Sequence, residues 1–250
     1  MHILFLGDVV GRTGREAVAD ALPKLRSALA IDLAVVNAEN ASHGFGLAPE
    51  MARDLFAAGA DAITLETGLG PVRVELSATD TDAVFGRMTQ PHPTLEPFAD
   101  APALLAALHL ERSEIPLTEI YVNGPRNAYV ALRSEDAVTA LAPDMQALRA
   151  VGMLNVSCFT VTGMRVKTRV FAPSLGVPED PATGSAAGPL ALHLARHGAI
   201  AWGQEIEISQ GAEINRPSRL YACVTGNADA IERIEVAGAA VVVARGSFEV

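Results

Sequence analysis

The sequence predicts an α+β protein whose chain opens with a parallel β-α-β-α-β unit. Three observations carry that expectation. Short apolar runs alternate with stretches of helical periodicity over residues 1–65. From residue 66 the apolar residues fall into short runs broken by turn residues, the pattern of antiparallel strands. One stretch, Val177-Pro178-Glu179-Asp180-Pro181-Ala182-Thr183-Gly184-Ser185, sets a carboxylate and a hydroxyl at the mouth of a helix.

Taken in order, residues 3–6 are an apolar run ending in Gly7-Asp8-Val9-Val10-Gly11, and residues 15–29 repeat apolar side chains at helical spacing through Val18, Leu22, Leu25 and Leu29. A second strand over 33–36 ends in Asn37-Ala38-Glu39-Asn40, a second helix covers 49–58, and a third strand covers 62–65. Asp8 and Glu39 therefore both stand at the carboxyl ends of parallel strands, where open α/β sheets gather functional groups. Strands over 71–76 and 83–89, joined through Thr79-Asp80-Thr81-Asp82, form a hairpin. Gln90-Pro91-His92-Pro93-Thr94-Leu95-Glu96-Pro97 carries too many prolines for a regular helix or a central strand, and reads as a crossing segment with a lobe boundary near it. Helices follow over 101–108, 135–140 and 143–150, and strands over 120–122, 128–132, 155–161, 164–171, 205–209, 220–224, 231–236 and 239–243. The expected sheet here is antiparallel and wrapped on helices.

The stretch 177–185 lies between the β-branched run 164–171 and an apolar helix pattern over 186–197 that Gly198 closes, so it reads as a strand-to-helix turn. Ser185 is the expected cap of the first free N–H groups, and those groups with the helix dipole suit a substrate carboxylate or phosphate. A capped helix start that binds nothing is the commoner use of such residues.

The 250 residues suffice for a substantial core, and with half of them hydrophobic the chain is of the soluble globular kind. A net charge of −10 argues against general affinity for nucleic acid or for an anionic membrane surface. Cys158 and Cys223 lie in apolar, strand-like surroundings without C-x-x-C spacing, which indicates reduced core thiols and neither a zinc site nor a disulfide framework. The opening apolar run reaches Asp8 too soon for a signal peptide or a membrane span. A cytoplasmic protein is the expectation.

Gly7-Asp8-Val9-Val10-Gly11, Leu22-Pro23, Asn37-Ala38-Glu39-Asn40-Ala41 and Ala58-Gly59-Ala60-Asp61-Ala62-Ile63-Thr64-Leu65 resemble the opening of the YmdB-type metallophosphoesterases. The resemblance implies a two-metal centre for phosphodiester hydrolysis, with metal ligands at Asp8 and Glu39 and with Asn40 close by. Paired metals clamp the attacking and the leaving oxygen of such a reaction. After Leu65 that family continues with a Gly-Asn-His motif, whereas this chain reads Glu66-Thr67-Gly68-Leu69-Gly70. Two carboxylates without the imidazole set hold a divalent ion weakly, as a water-rich Mg²⁺ or Mn²⁺ site, and otherwise stand as plain strand-end residues.

A second and longer resemblance covers 66–250. Glu66-Thr67-Gly68, Val72-Arg73-Val74, Arg87-Met88-Thr89-Gln90-Pro91, Arg169-Val170-Phe171-Ala172-Pro173, Glu179-Asp180-Pro181-Ala182-Thr183-Gly184-Ser185-Ala186 and Gln210-Gly211-Ala212-Glu213-Ile214-Asn215-Arg216-Pro217-Ser218 resemble the PhzF family of phenazine-biosynthesis-like isomerases. The resemblance implies a diaminopimelate-epimerase-like fold of two similar lobes with the active site between them, a homodimer, and no cofactor or metal. It also implies cofactor-free proton transfer on a small carboxylic acid, with Asp180 and Ser185 as the second-lobe catalytic residues and Thr183, Gly184, Gln210 and Gly211 along the substrate. Gln210 and Arg216 serve equally well as braces of the strand that follows.

The family's first lobe supplies a catalytic glutamate in an Ala-Glu-x-Asn-x-Ser-Glu-Thr helix and a Gly-His-Ala-Thr motif. In this chain the N-terminal β-α-β-α-β segment replaces that region, which leaves Glu39 or Glu66 as the candidate base. The expected division is a YmdB-like segment over 1–65, a remnant of the first lobe over 66–95, a second lobe over 96–235, and a C-terminal strand over 236–250 returning to the first lobe. The chain looks like a chimera joined near Leu65 and Glu66. The expected activity is that of an impaired or inactive isomerase. The alternatives are a phosphodiesterase using a divalent ion at Asp8 and Glu39, and a fusion without catalysis.

Overall fold

The computed structural model of the chain describes residues 2–7, 9–38, 41, 49–60, 62–67, 70–78 and 84–240. The chain divides into two compact units, Met1–Thr89 with Ala239–Val250, and Gln90–Gly238.

In the first unit, strand β1 (Ile3–Leu6), helix α1 (Gly11–Leu29), strand β2 (Leu33–Asn37), helix α2 (Pro49–Ala57) and strand β3 (Ala62–Thr67) alternate as expected. β1 pairs parallel with β2, and β2 parallel with β3. The helices cover one face of these strands, where Val18 and Leu22 of α1 and Ala52 and Leu55 of α2 bury against Ala34, Val36 and Ile63. Strands β4 (Gly70–Ala78) and β5 (Val84–Gln90) extend the sheet as an antiparallel hairpin, with β3 pairing antiparallel to β4. α1 starts one turn before its apolar periodicity does, since Gly11 to Gly14 have no apolar side chain to mark the face.

In the second unit come β6 (Thr94–Pro97), α3 (Ala101–Ala107), β7 (Glu119–Val122), β8 (Arg126–Ala131), α4 (Glu135–Thr139), α5 (Met145–Val151), β9 (Asn155–Thr162), β10 (Arg165–Ala172), β11 (Val177–Asp180), α6 (Gly184–Arg196), β12 (Ile206–Gln210), β13 (Ser218–Gly226) and β14 (Ile231–Ala240). The sheet runs β6-β7-β8-β9-β10-β12-β13-β14, with β11 beside β10. It is mixed rather than antiparallel, because β8 runs parallel to β9 and β10 parallel to β12. Each parallel pair is joined through helices, α4 and α5 for the first and α6 for the second, and a helical crossover returns the chain in the same direction.

Helices cover both faces of the central strands. Ala128, Val130, Val156 and Cys158 point into the core shared with α3, α4 and α5, whereas Tyr129, Ala131 and Phe159 point into the core shared with α6. That two-sided burial is why β8 reads as an almost continuous apolar run, and why even the polar residues Ser157 and Thr160 of β9 are buried.

Three expectations need correction. The proline-punctuated stretch contributes a strand, β6, that among the described residues lies at the sheet edge beside β7, and an edge tolerates prolines that a central strand cannot. The two strands expected over 231–236 and 239–243 are one strand as far as Ala240, since Ala237 and Gly238 continue the pairing with β13. Residues 177–180, expected to be turn, form the short strand β11 before the turn begins. Among the described residues no helix is long and apolar enough to cross a membrane.

Candidate functional site

The strand-to-helix turn is built on one edge of β10, where that strand changes partner. Arg165, Val166 and Lys167 run parallel with β12, while Val170 and Ala172 pair antiparallel with Asp180 and Val177 of β11. Asp180 at the end of β11 and Gln210 at the end of β12 therefore arrive at the same gap. Gln210 closes it: its Nε2 donates to the Asp180 carbonyl at 2.7 Å and to Thr183 Oγ1 at 2.9 Å, and its Oε1 accepts from the Thr183 N–H at 3.3 Å. The Thr183 hydroxyl in turn donates to Asp180 Oδ2 at 2.5 Å. Gly211 continues the path at φ +81, and a Cβ on it would run into the carbonyls of Arg216 and Pro181. Glycine alone lets the 211–216 turn nest against residue 181.

Asp180, Thr183, Gln210 and Gly211 are thus brought into one set of contacts, and Gly184 and Ser185 continue it as the first two residues of α6. Ser185 does not cap that helix, contrary to the sequence reading. The cap position belongs to Thr183, whose side chain makes no capping bond because its hydroxyl turns back to Asp180. The expected stop does hold at the other end, where Gly198 sits at φ +70, its N–H bonds to the Ala195 carbonyl, and the Ala199 N–H reaches the Leu194 carbonyl. Ser185 and Asp180 are half-buried. Among the described residues, no hydrogen-bond partner reaches Ser185 Oγ or Asp180 Oδ1. Gln210 is 4% exposed and both atoms of its amide are engaged by the protein. Arg216 is exposed, and its backbone N–H bonds to the Gly211 carbonyl.

The first turn of α6 is held from outside. Gly184, Ser185 and Ala186 each present a carbonyl to a side chain of another element: Gln90 Nε2 at 2.9 Å, Asn123 Nδ2 at 2.9 Å and Tyr129 OH at 2.7 Å. β11 is held as firmly. Arg169 on β10 grips Glu179 with two parallel bonds of 2.9 and 2.8 Å, and its Nη1 reaches the Leu141 carbonyl at 2.7 Å and the Thr139 carbonyl at 3.1 Å. The hydrogen bonds to Glu179 hold the Arg169 guanidinium above its ordinary range despite burial. Nearby, Lys167 Nζ lies 2.6 Å from Glu213. Burial alone would raise the Glu213 carboxyl, but the bonds from Lys167, its own backbone and Thr139 hold it below the usual carboxylate range. The sequence reading assigned no role to Arg169 and Glu179. Their signal was available: an arginine inside the otherwise apolar run 169–173 must find a partner.

Asp8, Glu39 and Asn40, the candidate metal residues and their neighbour, lie outside the described residues. Glu66 is in β3 opposite Pro71, and its side chain lies outside them as well. Among the described residues no group of three or more His, Cys, Asp or Glu side chains is placed to hold a metal ion.

The model of the phenazine biosynthesis-like protein family matches residues 46–246, and that of the YmdB-like protein family matches residues 4–68. The trans-2,3-dihydro-3-hydroxyanthranilate isomerase of Pseudomonas aeruginosa is 48% identical over 186 residues, which are 74% of this chain and 66% of that protein. The chain thus spans just under two thirds of the length of that relative. The 2',3'-cyclic-nucleotide 2'-phosphodiesterase of Bacillus subtilis is 46% identical over 65 residues, 26% of this chain and 25% of that protein. Among solved structures, a PhzF-family phenazine biosynthesis protein of Bacillus anthracis superposes with a TM-score of 0.60 at 18% identity, covering 88% of this chain and 86% of the other. The shared architecture and a family match over four fifths of the residues place this chain in the phenazine biosynthesis-like, or PhzF, family.

Proposed function

We propose that this chain is an isomerase-type protein for a small cyclic carboxylic acid of the dihydro-hydroxyanthranilate class, carrying one half of a cofactor-free proton-transfer site. The observation that supports it best is the Asp180-Thr183-Gln210 hydrogen-bond set, which fixes Asp180 at the mouth of α6 inside the stretch matched by the isomerase family. Asp180 Oδ2 accepts the Thr183 hydroxyl hydrogen bond, which leaves Oδ1 to take a proton from a bound substrate and return that same proton to it elsewhere. Ser185 Oγ donates a hydrogen bond to the substrate, and the N–H groups of the first turn, at the positive end of the helix dipole, hold its carboxylate.

Turnover is slow or absent in this reading. The catalytic glutamate and the Gly-His-Ala-Thr motif of the family's first lobe have no counterpart in the N-terminal segment, which instead resembles the YmdB group over 4–68. Catalytic groups act as a unit, and loss of one partner removes most of the rate. The chain is on this reading a chimera joined near Leu65 and Glu66, working as a cytoplasmic homodimer without metal or cofactor. Titration with 3-hydroxyanthranilate, a stable aromatic analogue, tests it: saturable binding that Asp180→Ala abolishes is the expected result, and binding unaffected by Asp180→Ala overturns it.

A second reading is favoured by the N-terminal match to a phosphodiesterase, with Asp8 and Glu39 holding a divalent ion. It calls for Mn²⁺-dependent cleavage of a chromogenic phosphodiester that Asp8→Ala removes; no cleavage with Mn²⁺ or Fe²⁺ rules it out.

A further inference from the structure

The Ser185 carbonyl has no α-helical donor in its own helix. In α6 it would accept from the N–H four residues on, and that residue is Pro189, which has none. Asn123 stands in for the missing donor, its Nδ2 lying 2.9 Å from the Ser185 oxygen. Asn123 is itself aimed by a ladder of side-chain amides: Asn155 Nδ2 donates to Asn127 Oδ1 at 3.0 Å, and Asn127 Nδ2 donates to Asn123 Oδ1 at 3.1 Å. Asn127 is fully buried, Asn155 is 6% exposed, and Asn127 Nδ2 also lies within reach of the Tyr121 and Pro125 carbonyls. All three amides thus point their donors in one direction, from β9 through β8 and the turn after β7 to the peptide of Ser185, and such aligned dipoles reinforce one another.

We infer that Asn123 is a positioning residue for Ser185, and that Pro189 and the Asn155-Asn127-Asn123 ladder form one device. Proline opens the first turn of α6 at the Ser185 carbonyl, and the ladder fixes the direction in which that peptide, and with it the serine side chain, is presented. A helix with an ordinary residue at 189 would hold the carbonyl internally and leave Asn123 without a task. The neighbouring carbonyls of Gly184 and Ala186 differ in this respect, since Gly188 and Leu190 both carry an N–H and their contacts with Gln90 and Tyr129 are additional. The inference rests on the functional reading of Ser185 given above.

The test is a mutational cycle of Asn123→Ala, Pro189→Ala and the double variant, read by two independent measurements. Amide hydrogen exchange over 184–188 is the first, with the remainder of α6 as the internal reference. Exchange there is expected to rise about tenfold or more in Asn123→Ala while 190–196 stays unchanged, and to return near the parent rate in the double variant, where the restored N–H at 189 takes the Ser185 carbonyl. Affinity for 3-hydroxyanthranilate is the second, with a loss of about tenfold in Asn123→Ala that the added Pro189→Ala largely reverses. Asn123→Asp, which keeps the shape and removes the donor, is expected to behave like Asn123→Ala. Unchanged exchange in Asn123→Ala, or a double variant as perturbed as the single one, overturns the inference. If the parent protein binds no analogue, the functional reading fails while the exchange data still decide the positioning role.

Discussion

The hydroxyl of Thr183 donates to Asp180 Oδ2 at 2.5 Å, so the residue at the cap position of α6 serves the strand before it instead of the helix after it. The same oxygen accepts from Gln210, and its removal leaves one of the two buried N–H groups of that amide without a partner, the other still bonding to the Asp180 carbonyl. Thr183→Val is expected to destabilise the protein by about 1–3 kcal/mol and to weaken analogue binding, while Thr183→Ser keeps both bonds and stays close to the parent. Denaturant unfolding and the analogue titration check this pair.

Arg169 and Glu179 are nearly buried, with side chains 10% and 9% exposed, so removing one partner strands the other charge away from water. Arg169→Met also strips a donor from the Leu141 and Thr139 carbonyls. The expected loss is about 3–5 kcal/mol for Arg169→Met, and adding Glu179→Leu should recover part of it, since an apolar pair of similar volume replaces a buried ion pair at little cost. Chemical denaturation of the two single variants and the double variant measures the coupling.

His193 lies in the α6 core against Tyr121, Tyr129 and Phe159, with Nε2 buried and unpartnered among the described residues. Burial, with smaller contributions from His197 and Arg196, pushes its pKa down to about 3 from an ordinary 6.5. The folded protein therefore binds this proton less readily than the unfolded chain does. The neutral ring's contribution to stability is complete above about pH 6.5 and is lost as pH falls towards 3, at about 1.4 kcal/mol per pH unit. His193→Phe, which keeps the ring contacts, should flatten the acid limb of a Tm-against-pH curve by the slope of one proton.

Gly188 lies under Gln90 and Ile234, where an added Cβ would meet the Gln90 side-chain oxygen and approach Ile234 Cγ2 to 2.7 Å. Alanine in a helix interior ordinarily gains about 1 kcal/mol over glycine. Here overpacking costs about 1–3 kcal/mol and wins, because Ile234 is fully buried and has no room to move. Gly188→Ala is expected to lower Tm, and pairing it with Gln90→Ala should relieve part of the loss.

Much of this architecture was legible in the chain. The alternation of apolar runs and helical periodicity predicted β1 to β3 and both intervening helices, since each element repeats one side-chain period. The helix that leaves the stretch 177–185 and its glycine stop at 198 were legible for the same reason, whereas strand β11 over 177–180 was not. Strand direction in the second unit was not legible either, because β8 and β9 are covered on both faces and neither has the one wet side that marks an antiparallel sheet strand. Around the candidate site, the family resemblance pointed to Asp180, Thr183, Gln210 and Gly211, which do meet. Local spacing misassigned the cap to Ser185, because a serine or threonine at either position satisfies the same local rule and only the path of β11 decides between them. The contact made by Asn123 was not legible: its partner lies 62 residues away, and local spacing carries no trace of it.

In the proposed function, the Asp180 turn is one half of a proton-transfer site whose opposing base is missing. Deuterium incorporation from D₂O into trans-2,3-dihydro-3-hydroxyanthranilate, followed by mass spectrometry beside the Pseudomonas aeruginosa isomerase, tests it most directly. A positioned base contributes about 10²–10⁴ in rate, so this chain is expected to incorporate label at least about 100-fold more slowly than that enzyme, and to lose any residual incorporation with Asp180→Ala. Incorporation as fast as that of the relative, or incorporation that survives Asp180→Ala, would mean that the site is complete or lies elsewhere.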